Sequence, residues 1–171
     1  MSKRAFDYSL RGSFTVLFAV LLLFTVGGRA QDNAKPGHER VPEKVMEGLK
    51  AKFPKAEIDK WTKEKEGDMV VYDIEFKQEG HHFEADIKED GTIHNWEKAI
   101  EAKDLPAAVL KAVDKNYPKA DIKEVMQVTA VKNGKDKLEG YEIGLQTADK
   151  KNVEVTIAPD GKVLEDSGVK K

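Results

Sequence analysis

The chain repeats one pattern of residues at an offset of 64 positions. Residues Val41–Ile58 begin with Val-Pro and end with Phe-Pro-Lys-Ala-Glu-Ile, and residues Leu105–Ile122 begin with Leu-Pro and end with Tyr-Pro-Lys-Ala-Asp-Ile. Self-similarity at a fixed period is the signature of a repeat architecture. We therefore predict two copies of one structural unit, over residues 41–100 and 101–165.

Each copy opens with the pattern of an amphipathic helix. Apolar residues recur at the spacing of one helix face, namely Val45, Met46, Leu49 and Phe53 in the first copy and Val109, Leu110, Val113 and Tyr117 in the second. Pro42 suits the first helical position, where its missing N–H would be unpaired anyway. Pro54 ends the helix, and Pro118 ends its counterpart.

After each helix the apolar period changes from 3.6 to 2, which is typical of half-buried antiparallel strands. The alternating sets are Val70, Tyr72, Ile74 and Phe76, then Phe83, Ala85 and Ile87, and in the second copy Tyr141, Ile143 and Leu145, then Val153, Val155 and Ile157. Weaker strands precede them around Glu57–Lys63 and Ile122–Val131. The predicted fold is α+β, with a helix packed on a three- to four-stranded antiparallel sheet in each copy.

Two turns set the predicted strand register. A three-residue loop Glu89-Asp90-Gly91, with Gly91 in the left-handed conformation, places Ile93 opposite Ile87. Continued along the strands, this register places His94 across from Asp86. The loop Pro159-Asp160-Gly161 repeats the arrangement and places Val163 opposite Ile157.

Each copy is small, and domains of about 65 residues bury little apolar surface alone. We expect the copies to pack together, either as two sheets or as one continuous sheet whose edge strands pair and are thereby protected from aggregation. The charged segment Glu97–Asp104 is the predicted connector.

The first thirty residues have the layout of a secretory signal peptide: basic Lys3, Arg4 and Arg11, an uncharged run over Phe14–Val26, and small residues before a cleavage site after Ala30. The alternative is a retained anchor, but the run is shorter than the about 20 residues that span a bilayer. Residues 31–40 are predicted as a flexible leader and residues 166–171 as a frayed tail. The predicted location is secreted or periplasmic, without a membrane span in the mature chain.

Composition argues against several classes of function. The segment 1–30 holds four of the 29 basic residues and one of the 31 acidic residues, so the mature chain has a net charge of −5, with Arg40 as its one arginine. Such a chain is a poor binder of nucleic acid. It contains no cysteine, and its one serine is Ser167, so it lacks the usual nucleophiles of hydrolases. We predict no enzyme, no catalytic residues and no cofactor, although a carboxylate-pair glycosidase stays an alternative.

The candidate binding surface is the solvent-facing side of the first sheet. Its predicted residues are Asp73, Glu75, His82, Glu84, Asp86 and His94. Carboxylate beside imidazole is also a Zn²⁺ ligand set, but the wider acidic surface favours a basic protein or peptide partner, and no metal site is predicted. Val71 and Trp96 are expected to flank this surface. The corresponding surface of the second copy is expected to be more neutral, with Gly144, Gln146, Asn152 and Thr156.

The chain resembles the PepSY-like family, which is related to the beta-lactamase-inhibitor protein. The resemblance rests on Leu-Pro-Ala-Ala-Val at 105–109, Tyr-Pro-Lys-Ala-Asp-Ile at 117–122, Gly-Tyr-Glu-Ile at 140–143 and the hairpin over 153–163. It covers nearly all of residues 41–164 in two copies. It implies an exported protein, a helix packed on an antiparallel sheet, and binding or inhibition of other proteins, peptidases among them. It brings no catalytic residues.

The predicted function is an exported binding module that inhibits or regulates another extracytoplasmic protein, such as a peptidase. The alternative is a sensory or structural domain of the cell envelope that binds a small ligand or a metal ion. A deep pocket with convergent polar groups would favour the alternative, whereas a broad open sheet face would favour the binding module.

Overall fold

The computed structural model describes residues 40–66 and 69–168. Within these ranges the elements are α1 (Glu43–Lys52), β1 (Glu57–Glu66), β2 (Met69–Gln78), β3 (His81–Lys88), β4 (Ile93–Ala99), a 3-10 turn (Ala102–Asp104), α2 (Ala107–Asn116), β5 (Asp121–Lys132), β6 (Lys135–Gln146), β7 (Asn152–Ile157) and β8 (Val163–Asp166). The predicted signal peptide, nearly all of the leader and the last three residues of the tail lie outside the described residues.

The eight strands form one antiparallel sheet in which each strand pairs with the next along the chain. The two halves of the chain meet at β4 and β5, where Asn95 lies opposite Ala130 and Ala99 lies opposite Met126. This pairing confirms the continuous sheet, and with two helices the protein is α+β. The predicted connector, Glu97–Asp104, begins too early in the sequence, because Glu97 lies inside β4.

Both helices pack on the same face of this sheet. Trp96 on β4 points toward the core and lies opposite Thr129 on β5, so the core-facing side continues from one half into the other. Helix α1 buries Val45 and Leu49 completely against the first four strands, and α2 buries Val109 and Val113 against the last four. The predicted apolar helix stripes are therefore confirmed.

Two hydrophobic clusters lie between the helices and the sheet, one in each half. The first is aromatic: the ring centroid of Phe53 lies 4.9 Å from that of Phe76, 5.5 Å from that of Phe83 and 5.7 Å from that of Trp96. The second is mostly aliphatic, with Ile143 among its fully buried residues. Since apolar burial is the main favourable term in folding, each half carries its own source of stability.

The helix ends show how the two prolines act. Pro42 and Pro106 are the N-caps, because their ψ angles of 146° and 144° are extended. Helix α1 therefore begins at Glu43, one residue later than predicted. At the other end of α1, Phe53 is the C-cap and donates its N–H to the carbonyl of Leu49 at 2.7 Å. The helix therefore ends at Lys52, and the cap residue Phe53 stands directly before Pro54, as an X-Pro pair favours.

The predicted turns are confirmed in both halves. Gly91 has a φ of 87°, and Ile87 lies opposite Ile93. Gly161 has a φ of 88°, and Ile157 lies opposite Val163. These turns also support the helices, since a Cβ atom at Gly48 in α1 would lie only 2.1 Å from the carbonyl oxygen of Gly91.

The predicted frayed tail is wrong for its first residues. Asp166 is the last residue of β8, and its carboxylate accepts hydrogen bonds from the Tyr117 hydroxyl and from the backbone N–H of Gly168. The N–H of Ser167 donates to the carbonyl of Glu154 at 2.9 Å. These bonds attach the end of the sheet to the end of α2.

A leucine pair tests the packing of α1 and the unity of the sheet. Leu49 is fully buried and Leu138 is 36% exposed, so Leu49→Ala should lower the free energy of unfolding by about 2–5 kcal/mol and Leu138→Ala by much less. Val113→Ala in α2 should cost less than Leu49→Ala because it removes fewer atoms. Calorimetry should show one unfolding transition for every variant; two well-separated transitions would contradict the single cooperative sheet.

Candidate functional site

The sheet face opposite α1 and α2, which we call the open face, carries a dense set of carboxylates. Strand pairing places the following outward residues there: Asp73 and Glu75 on β2, Glu84 and Asp86 on β3, Glu97 on β4, Glu124 on β5, Glu142 on β6, Glu154 on β7 and Glu165 on β8. Neither helix covers this face. The acidic surface therefore extends over both halves of the chain.

One row of this face holds three glutamates on three adjacent strands. Glu75 lies opposite Glu84, and Glu84 lies opposite Glu97. Directly opposite side chains are about 5 Å apart at Cβ, and like charges at that distance repel each other. In the next row Asp73 lies opposite Asp86. Such an arrangement disfavours the charged forms and is destabilising unless a cation is close.

Some of these carboxylates have partners on the same face. Lys60 Nζ lies 2.8 Å from Glu75 Oε1, and His82 Nε2 lies 3.4 Å from Glu84 Oε1. Asn95 Nδ2 donates to Asp86 Oδ2 at 2.8 Å. The structure thus brings five of the six predicted site residues together on the open face: Asp73, Glu75, His82, Glu84 and Asp86.

The predicted position of His94 is wrong. A β-bulge follows the β3–β4 turn, so that Ile87 still pairs with Ile93 but Asp86 pairs with Asn95. His94 is the additional residue of the bulge and does not lie across from Asp86. The extra residue in one strand shifts every later residue of β4 to the opposite face of the sheet.

The same bulge explains two further errors. Trp96 was expected beside the acidic surface, but it lies opposite Ala85 and packs on Phe53 and Phe83 in the core. Glu97, assigned to the connector, lies instead at the centre of the open face. The sequence contained a signal for the correct arrangement, because a large apolar residue such as Trp96 prefers the core. Adjacent residues of a strand point to opposite faces, so a Trp96 in the core places Glu97 on the open face.

The second half is more acidic than predicted. The residues expected to make it neutral are present on the open face, with Gly144 opposite Glu154 and Thr156 opposite Glu142. Glu142, Glu154 and Glu165 lie beside them and were not included in the prediction. The alternation around Tyr141 and Ile143 contained that information, because a residue between two core positions points outward.

Burial and mutual repulsion shift the protonation of these groups. Burial raises the pKa of Asp73 to about 7, with Glu84 and Glu64 adding to the rise. Burial also raises the pKa of Glu142 to about 8, helped by Glu154 and Glu84. The pKa of Glu97 is raised well above its ordinary value, first by burial and then by Glu142. The open face therefore binds protons near neutral pH.

The chemistry of this face is that of an anionic surface for cations. Ionised carboxylates act only as hydrogen-bond acceptors, so they suit ammonium and guanidinium donors. Within residues 40–66 and 69–168, no group of three or more histidine and acidic side chains is placed to hold a metal ion. Nor does this part of the chain contain a helix long and apolar enough to cross a membrane.

The raised pKa values predict a stability that falls as the pH rises. The ordinary pKa values of Asp73 and Glu142 are 3.8 and 4.5, whereas in the folded state they are about 7 and about 8. Between these limits the folded state binds more protons than the unfolded state, so raising the pH lowers the free energy of unfolding. After allowance for solvent screening, we expect the deprotonation of each group to lower the free energy of unfolding by on the order of 1–2 kcal/mol between pH 5 and pH 8.5.

Denaturant unfolding at constant ionic strength measures this loss. Glu142→Gln should flatten the pH dependence, because the amide does not titrate. The control Glu79→Gln should leave it unchanged, since Glu79 is exposed and its pKa is lowered by Lys55. A stability that stays constant or increases from pH 5 to pH 8.5 would contradict the assignment.

Comparison with known proteins gives a family and several related folds. The family model described as beta-lactamase-inhibitor-like, PepSY-like matches residues 33–95 and, in an overlapping segment, residues 71–165. No curated protein matches the chain.

Three solved structures, all from Bacteroides, share the fold. A DUF2874 family protein from Bacteroides uniformis is 16% identical, with a TM-score of 0.60 over 74% of this chain and 88% of that one. A protein of Bacteroides eggerthii proposed to be periplasmic is 17% identical, with a TM-score of 0.59 over 75% and 88%. A BLIP-like protein from Bacteroides fragilis is 18% identical, with a TM-score of 0.56 over 77% and 88%.

At these identities the three structures establish a common fold and no more. The two matched segments of the family model together span more than half of the chain and include all eight strands of the sheet. The chain belongs to the PepSY-like, beta-lactamase-inhibitor-like family.

Proposed function

We propose that the protein is an exported module that binds a basic protein or peptide through its open face and thereby inhibits or regulates an extracytoplasmic partner, such as a peptidase. The observation that carries this proposal is that every strand from β2 to β8 places at least one acidic side chain on the open face. Charged surfaces of one sign attract partners of the other sign and increase their rate of association.

The helix side of the molecule shows why the open face is the better candidate. Exposed residues of α1 and α2 carry both signs, namely Glu43, Lys44, Glu47, Lys50, Lys111, Asp114 and Lys115. Mixed charges on helix surfaces are common in soluble domains and suit solubility. The open face instead gathers acids whose mutual repulsion costs stability, and a cationic partner would relieve that repulsion.

The alternative of a small-ligand domain has weaker support. A cleft of about 640 Å³ lies between α1 and the turns β3–β4 and β5–β6. Its main charged groups already neutralise each other, because Lys52 Nζ lies 2.6 Å from Asp136 Oδ2 across the cleft. The cleft is wide and open, whereas small-molecule sites enclose most of their ligand. The broad acidic face therefore supports a macromolecular partner.

We further infer that the two halves are tandem copies, over residues 41–100 and 101–165, and that the module is not catalytic. The order of one helix followed by four strands occurs in each half. The family name refers to inhibitors, which act by binding. Periplasmic location is supported by the description of the related protein from Bacteroides eggerthii.

Export has a direct test. If residues 1–30 are a signal peptide, N-terminal sequencing of the protein from the extracytoplasmic fraction should begin at or within a few residues of Gln31. A protein that begins at Met1 and fractionates with the membrane would contradict export by cleavage.

A triple variant tests the role of the open face. Glu75→Gln, Glu84→Gln and Asp86→Asn together remove three charges there, and we expect them to weaken binding of the partner about tenfold or more at low salt. The loss should decrease at high salt, because screening already weakens the unmodified complex. The partner is isolated by affinity capture from the native envelope, and its affinity is measured by calorimetry.

A matched triple variant on the helix side serves as the control. Glu43→Gln, Glu47→Gln and Asp114→Asn make the same change in net charge at exposed positions and should leave binding nearly unchanged. Equal losses in both variants would show that net charge alone determines affinity. Binding that neither variant changes would place the site elsewhere on the molecule.

A further inference from the structure

Two glutamates of the open face lie at the junction of the two halves. Glu97 on β4 and Glu142 on β6 lie on either side of β5, where the two halves join. Both are partly buried. Among the described residues neither carboxylate makes a hydrogen bond or an ion pair, whereas the carboxylates of Glu75, Glu84 and Asp86 each have a partner.

The surface between these two side chains is apolar and little exposed. Val128 lies opposite Glu97, and Met126 lies opposite Glu142. Met126 is only 4% exposed and Ala130 only 7%, although they face away from the helices. The residue on β6 that lies opposite Val128 is Gly140, which has no side chain. Strands lie about 4.8 Å apart and two residues of a strand span about 7 Å, so the backbone positions of the two glutamates lie roughly 12 Å apart, diagonally across β5.

This arrangement matches one kind of ligand group. Lysine and arginine combine an aliphatic stem, which packs on apolar surface, with a cationic head that seeks water or carboxylates. Met126 and Val128 offer an apolar surface for the stem, and the carboxylates on either side can bind the cationic head. Hydrogen bonds between a cationic donor and a carboxylate are about twice as strong as neutral ones.

We propose that Glu97 and Glu142 form the receptor for a single lysine or arginine side chain of the basic partner, whose stem lies on Met126 and Val128 at the junction of the two halves. This inference rests on the function proposed above and names its central contact. Each half supplies one carboxylate, so the receptor exists only in the joined sheet.

The probe is the synthetic peptide Ac-Ala-Lys-Ala-Lys-Ala-Lys-Ala-amide, added to the protein purified from the extracytoplasmic fraction. Glu97→Gln with Glu142→Gln should lower its affinity at least tenfold. The matched pair Glu124→Gln and Glu154→Gln removes the same charge from the same face, on either side of Gly144, and should lower affinity less than threefold. The same peptide with Nε-acetylated lysines should not bind.

A second readout follows the carboxyl groups themselves. The peptide should change the ¹³C carboxyl signals of Glu97 and Glu142 and the methyl signals of Met126 and Val128 more than those elsewhere. The double variant should unfold at the same or a higher denaturant concentration than the unmodified protein at pH 8, because it removes two groups whose charged forms repel each other. A loss of binding can then be separated from a loss of folding.

The affinity of the peptide should also depend on pH. The charged groups facing Glu97 and Glu142 are the acids Asp73, Glu84, Asp86, Glu124, Glu154 and Glu165. The basic side chains that strand pairing places on the open face include Lys60, Lys77, His82, Lys88 and Lys137. A cationic ligand favours the charged form of the carboxylates, so its binding should release protons. The affinity of the peptide should therefore increase several-fold from pH 6 to pH 8.5. The Glu97 and Glu142 double variant should lose most of that increase.

The outcomes separate this inference from the function on which it rests. Equal losses in the two pairs of variants would show diffuse attraction and overturn the receptor while leaving the acidic binding face intact. A loss of peptide affinity in the Glu75, Glu84 and Asp86 variant, with no loss in the Glu97 and Glu142 variant, would also overturn the receptor and leave the acidic binding face intact. An unmodified protein that fails to bind the lysine peptide would overturn both.

Discussion

The pairing of β4 with β5 is the contact on which the rest of the structure depends. Each half has its own helix and its own buried cluster, but a unit of that size is marginal alone and would expose an edge strand. Joining the halves removes two edges and aligns two core-facing surfaces on one side. The opposite sides then form one continuous surface, so the acidic open face is a product of the same pairing that stabilises the fold.

One extra residue in β4 determines which side chains share that surface. Without the bulge at His94, alternation from Ile93 would direct Trp96 toward solvent and Glu97 into the core. With it, Trp96 completes the aromatic cluster around Phe53 and Glu97 joins Glu84 on the open face. The bulge therefore improves the core and creates a charged centre at once. Bulges of this kind are structural features that redirect side chains, not irregularities.

The sequence predicted the fold well and the candidate site in part, for a physical reason. Helix stripes, strand alternation and the turns at Gly91 and Gly161 are local patterns, and all were found where they were expected. The site depends on strand register, which one inserted residue reverses for every residue after it. Asp73, Glu75 and Glu84 precede the bulge and were placed correctly, whereas His94 and Glu97 follow the start of β4 and were not.

The open face also shows a conflict between stability and binding. A sheet surface selected only for stability would alternate opposite charges across its strands, as Lys60 does with Glu75. Here Glu84 faces both Glu75 and Glu97, and the pKa of Glu97 is raised by burial and by Glu142. Residues that lower stability without improving the fold are expected at functional sites. The position of that conflict, at the junction of the halves, is the physical reason to look there first for the partner.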